Sequence, residues 1–219
     1  SDNDSAGLVF HTNGPVTLKN ADVIENKSWG VMVQSDEAGT VTLASLYITD
    51  NGLATDRAGL LVETAGSIII TDSVSAYNGR NGADLYNYLG YGTVTVKNSQ
   101  FNLNKATGLL IQSNNVVTLT NVDAWSNEYF DPFDPGYGVY IDNSWSTAGV
   151  TIYAPAAAYP TDYNLYQDNA AGGLHILTNG AVSLAKIDAH ENTGDGVSVE
   201  NLDLDLMKPV SVVNSLLTD

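Results

Sequence analysis

The stretch "GLVFHTNGPVTLKNADVIEN" (residues 7–26) returns as "GLHILTNGAVSLAKIDAHEN" (residues 173–192), with ten of the twenty paired positions identical and no gap. The same opening, a glycine with apolar residues one and three positions later, stands at Gly7, Gly30, Gly59, Gly82, Gly108, Gly138, Gly173 and Gly196. The intervals are 23, 29, 23, 26, 30, 35 and 23 residues, so 23 is the basic unit and the excess is insertion. A fixed short period marks a repeat architecture, in which one unit cannot bury its apolar face alone and must stack on its neighbours.

Each unit carries a second apolar-x-apolar triplet after a turn, giving four such sites per unit and 32 over eight units. All 32 hold Ala, Val, Leu, Ile or Phe, from Leu8, Phe10, Val16 and Leu18 in the first unit to Leu174, Ile176, Val182 and Leu184 in the seventh. Strict alternation over so few residues turns one face of a short strand inward, and these residue types suit a pleated, buried surface. The intervening turns, such as "TNGP", "SNNV" and "TNGA", are rich in Asn and Gly, which tolerate positive φ. A less uniformly apolar third strand follows, through Ala21 and Val23, Leu46 and Ile48, Ser99 and Phe101, Val122 and Ala124, and Ile187 and Ala189.

Eight residues beyond the second triplet stands Asn26, and by the same offset Asn51, Asn78, Asn104, Asn127 and Asn192. Asn169 takes this place in the sixth unit after an insertion, and Asn3 precedes Gly7 as Asn26 precedes Gly30. One asparagine per unit predicts an asparagine ladder, each residue supplying the left-handed bend while its amide bonds to the like residue of the next coil. The expected fold is all-β: a right-handed parallel β-helix of about eight coils, its strands stacked about 4.8 Å apart into a rod of roughly 38 Å. Residues 1–219 then form a single β-helix segment.

The pattern "GLxIxxNxxVTLxNxxAxxN" resembles the parallel β-helix repeats of the pectin-lyase-like superfamily, and the resemblance covers nearly the whole chain. That superfamily includes polysaccharide lyases, glycoside hydrolases, alginate epimerases and many large bacterial surface proteins. The resemblance implies the fold and leaves the chemistry open, since function on a solenoid sits on its exposed faces and loops.

Composition narrows the partners. Eight Lys and Arg against 25 Asp and Glu give a net charge of −17, which repels nucleic acid and anionic membrane surfaces. There is no cysteine, so disulfides and thiolate metal sites are excluded. The abundance of Asn, Thr, Ser, Gly and Asp with few Lys points to an extracellular or cell-surface protein, bacterial by the resemblance. Neither "SDNDSAG" nor "VNSLLTD" reads as a cap, so the segment is expected to be an internal part of a longer solenoid, with flanking coils or other subunits on its ends.

Outward columns are the places for chemistry. The second strand presents Thr17, Thr42, Thr95, Thr118 and Thr151, but its neighbouring column mixes Lys19, Ala44, Thr71 and Tyr153, which does not match the paired Thr ranks of an ice-binding solenoid. On the third strand Asp123 and Asp188 stand two coils apart, about 9.6 Å in a regular stack and at the upper edge of an inverting glycosidase's acid–base separation.

The two insertions hold more. "NEYFDPFDPGYG" (127–138) and "APAAAYPTDYNLYQDN" (154–169) bring Tyr129, Phe130, Phe133, Tyr137, Tyr159, Tyr163 and Tyr166 beside Glu128, Asp131, Asp134 and Asp162. Aromatic faces beside carboxylates suit sugar rings, a protein contact, or simple packing of the loops on the rod. Glu128, Asp131 and Asp134 also offer oxygens for Ca²⁺, though not at EF-hand spacing. Asp131 and Asp134 join Asp123 and Asp188 as candidate catalytic carboxylates. The only arginines, Arg57 and Arg80, have no acidic cluster aligned with them in the repeat, and His11, His175 and His190 read as separate surface residues. The balance favours a non-enzymatic structural or interaction segment such as a stalk, adhesin or filament unit. The alternative is a polysaccharide hydrolase, lyase or epimerase module using the loops of coils five and six.

Overall fold

The computed structural model describes residues 3–35, 37–155, 163–201 and 208–218. Coil one contains β1 (Leu8–His11) and β2 (Val16–Ile24), and coil two contains β3 (Val31–Ser35) and β4 (Val41–Thr49). Coil three is β5 (Leu60–Thr64), β6 (Ile68–Thr71) and β7 (Val74–Ala76), and coil four is β8 (Ala83–Asn87) and β9 (Val94–Asn102). Coil five is β10 (Leu109–Ser113) and β11 (Val117–Trp125), and coil six is β12 (Val139–Asn143), β13 (Val150–Tyr153) and β14 (Asn164–Gln167). Coil seven is β15 (Leu174–Thr178), β16 (Val182–Ala185) and β17 (Ile187–His190); coil eight is β18 (Val197–Asn201), β19 (Val210–Val213) and β20 (Leu216–Leu217).

The first strands of the eight coils form one sheet in the order β1-β3-β5-β8-β10-β12-β15-β18, every pair parallel. Its register is that of the opening glycines: Leu8 lies on Val31, Val31 on Leu60, Leu60 on Ala83, and so on to Val197. Second and third strands join in a larger sheet because β2, β4, β9 and β11 run through the corner without a break. One left-handed residue makes each of those corners: Asn20, Ser45, Asn98 and Asn121 have φ of 48–55°.

The apolar columns fill the interior. All 24 sites of coils two to seven (four in each of six) are no more than 2 % exposed. In the outer coils Leu8, Phe10, Leu18, Val197 and Val199 are partly buried, and Val210 and Val212 are 47 % and 44 % exposed, because a terminal rung is covered from one side only.

The ladder is continuous over all eight asparagines. Side-chain bonds link Asn3 to Asn26, Asn26 to Asn51, Asn51 to Asn78, Asn78 to Asn104, Asn104 to Asn127, Asn127 to Asn169 and Asn169 to Asn192, at 2.7–3.3 Å. One expectation is corrected: the left-handed residue is not the asparagine but the one before it. Glu25, Asp50, Tyr77, Leu103, Ser126, Asp168 and Glu191 carry the positive φ, which leaves each asparagine amide turned inward. The glycine column follows from the same geometry. A Cβ on Gly108 would stand 2.7 Å from Asn127 Nδ2 and 2.6 Å from the carbonyl oxygen of Phe101, so only a residue without a side chain fits beside the ladder.

Residues 164–167 of the second insertion are the third strand of coil six. Tyr166 is therefore a core residue rather than a loop aromatic, stacked between Ala124 and Ala189, whose small side chains leave room for its ring.

Candidate functional site

The outer face of the first sheet concentrates the polar and aromatic side chains. Alternation sends the second and fourth residues of each first strand outward. In the fourth-residue column His11 lies beside Gln34, Gln34 beside Glu63, and Glu63 beside Tyr86. Gln34 Nε2 donates to Glu63 Oε2 at 2.5 Å. Tyr88 and Leu89, from the turn after β8, close one wall, and the whole forms a cleft of 630 Å³. The Tyr86 and Tyr88 rings meet edge to face at 6.3 Å, and Trp145, two coils on, lies 6.0 Å from Tyr88.

The second-residue column brings Asp84, Tyr140 and His175 to the same face. Burial, reinforced by Asp134 and Glu63 and opposed by the Asn81 amide at 2.6 Å and by Arg80, pushes the Asp84 carboxyl up to about 6. His175 stacks against Tyr137 at 5.1 Å and Tyr140 at 5.2 Å. It is thus a packed residue rather than a free surface one, and burial holds its imidazole below the usual range although Glu200 and Asp195 oppose that. A smaller cleft of 380 Å³ lies here, between Tyr137, His175, Asp195 and Glu200.

Arg80 does have acidic company, contrary to the repeat-based reading. Its Nε donates to Asp134 Oδ2 at 3.0 Å, with Asp84 and Asp131 nearby, and its guanidinium lies 5.6 Å from the Phe130 ring. The cause is the 127–138 insertion, which folds back over coil four and carries Asp134 to a position that alignment by period does not reach. Asp134 is almost fully buried and also accepts from the Thr107 N–H at 3.3 Å. Asp131 accepts from the N–H groups of Phe133 and Asp134 within its own turn, and Glu128 pairs with Lys105 at 2.7 Å. The three carboxylates proposed as Ca²⁺ ligands are thus turned to three different partners. No three acidic or imidazole groups converge for a metal ion among the described residues.

The remaining candidates are dispersed. Phe133 and Tyr129 are exposed, Phe130 lies against Arg80, Tyr137 against Tyr140, and Tyr163 is at the surface of coil six. Tyr159 and Asp162 lie outside the described residues. Asp123 is buried and accepts from the Leu165 N–H at 3.0 Å; burial raises its carboxyl and that bond lowers it. Asp188 contacts His190 Nδ1 at 2.8 Å, with Leu165 on the strand between it and Asp123.

The cleft residues lie on the first strands, outside the second- and third-strand columns that carry the candidate carboxylates. The fourth residue after each opening glycine (His11, Gln34, Glu63, Tyr86) is equally readable as an outward column of hydrogen-bonding side chains, and it continues through Gln112 and Asp142. Nothing in the period indicated that the turn "YLGYG" (88–92) would lean over it.

Residues 29–201 match the family model described as a right handed beta helix region. No curated protein and no solved structure matches the chain significantly. With parallel coils in continuous register, an unbroken asparagine ladder and a family match over most of its length, the chain belongs to the right-handed β-helix family, consistent with the pectin-lyase-like superfamily.

Proposed function

We propose that the chain is a structural and interaction segment of a large bacterial extracellular or cell-surface protein, the β-helix serving as a stalk, adhesin or filament unit. The observation that carries this reading is where the insertion carboxylates are spent. Asp134 is bound to Arg80 and Glu128 to Lys105, which fastens the 127–138 loop to the rod, while Asp131 is spent on shaping the loop's own turn. A loop held in this way stiffens a scaffold that presents a surface. Its partners in this reading are other protein subunits or β-helical coils in line with the rod, together with a polysaccharide. The test is size analysis of acidic and neutral polysaccharides after prolonged incubation with the protein, with and without Ca²⁺. Polymers of unchanged length are expected.

A second reading, a carbohydrate-active module, is favoured by one observation: Asp84, raised to about 6, shares the first-sheet face with Glu63. A carboxyl in that range suits a general acid near neutrality. Chain shortening abolished by Asp84→Asn would establish it and place the chemistry on the first sheet. Shortening abolished by Asp131→Ala or Asp188→Ala would place it on the loops or the third-strand face.

A further inference from the structure

The 630 Å³ cleft falls within the size range of small-molecule sites. Three of its features select the same kind of ligand. Among the described residues lining it Glu63 is the one acidic group and there is no Lys or Arg, within a chain of net charge −17. One Glu63 oxygen accepts from Gln34, and no described residue donates to the other. Tyr86 and Tyr88 stand edge to face beside the carboxylate, with Leu89 adding apolar surface. A carboxylate beside aromatic rings recognises an ammonium group through a charge-assisted hydrogen bond and cation–π attraction. An anionic ligand would meet repulsion from Glu63 and from the rod as a whole.

The site is also elongated. From His11 to Tyr86 the column crosses four successive first strands, about 14 Å at ordinary strand spacing. We propose that this cleft binds an elongated aliphatic amine, one ammonium held by Glu63 and its alkyl chain lying against Tyr86, Tyr88 and Leu89. Gln34 and His11 lie further along the column, where they offer hydrogen bonds to a second amine nitrogen. This role is independent of whether the rod is a scaffold or an enzyme, because it uses none of the loop carboxylates.

Calorimetric titration of the whole chain with spermidine in about 0.15 M salt tests it, since at that ionic strength diffuse attraction to a charged rod is largely screened. Saturable binding at one site is expected. Glu63→Gln and Tyr88→Ala should each weaken it about tenfold or more, while Asp22→Asn on the third-strand face leaves it unchanged. Tyr88 is 38 % exposed, so its truncation leaves the core intact and loss of binding there is not loss of fold. An uncharged glycol of matched length should not compete. Equal weakening by Asp22→Asn and Glu63→Gln would reduce the effect to general charge and overturn the proposal. Equal binding of the glycol would overturn it too, as would a lysine-rich peptide or a neutral oligosaccharide occupying the cleft while spermidine does not.

Discussion

The asparagine corner and the 127–138 loop are both held by polar side chains, but in opposite ways. At the corner each amide bonds to its equivalent in the next coil, so Asn104 accepts from the backbone N–H and side chain of Asn78 and donates to Asn127 and to the Ser75 carbonyl. In the loop Asp134 bonds to Arg80, 54 residues away, and Asp131 to N–H groups of its own turn, neither of which recurs by the period. Only Glu128 follows the repeat, pairing with Lys105 as Asp4 does with Lys27. The first arrangement repeats and each link depends on two neighbours; the second is local and can fail alone. Repetition therefore makes the corner the stiff axis of the molecule and leaves the loop free to differ from coil to coil.

The sharpest way to break this contrast is at the corner. Asn104→Ala removes the acceptor of two Asn78 groups and the donor to Ser75, all buried, and is expected to destabilise the fold by about 3–5 kcal/mol, at the upper end for orphaned polar groups. Urea unfolding measures it, and a loss below about 1 kcal/mol would mean that water replaces the missing amide. Arg80→Ala leaves the buried Asp134 without its cation but with the Thr107 N–H, so a smaller loss of about 1–3 kcal/mol is expected. Limited proteolysis should then cut within 127–138 while the coils remain protected.

The smallest effect is set by pH. The folded Asp84 carboxyl holds its proton more tightly than its ordinary value of 3.8, at about 6. Its contribution is therefore fully present below the unfolded value and is lost as pH rises through the folded one. Asp84→Asn should melt with wild type near pH 4 and above it beyond pH 7, by on the order of 1–2 kcal/mol after allowance for partial solvent access. A melting difference that does not change with pH would remove burial as the cause. That result would also weaken the general-acid reading of the first-sheet face.

Much of the fold was legible before any coordinates. The glycine interval, the apolar triplets and the asparagine offset recur in register, and the strand pairs follow that register from Leu8 to Val197. What misled was detail at the bends. Composition points the left-handed φ at residues such as Asn104, which tolerate it more easily, whereas Leu103 is the residue that adopts it. Tyr166 reads as a loop aromatic because the 35-residue interval conceals a third strand inside the insertion.

By itself the sequence determined the solenoid, its coil boundaries and its interior. Those depend on a period, and a stacked parallel coil converts equal spacing along the chain into contact in space. Only the tertiary structure decided which outward groups meet. Asp134 reaches Arg80 and Tyr88 reaches Trp145 because insertions and turns fold back across coils by paths that no period encodes. Interactions between equivalent positions made the rod readable and also align His11, Gln34, Glu63 and Tyr86 along the cleft, but they are absent from the turn that walls the cleft and from the insertion that builds the acidic cluster.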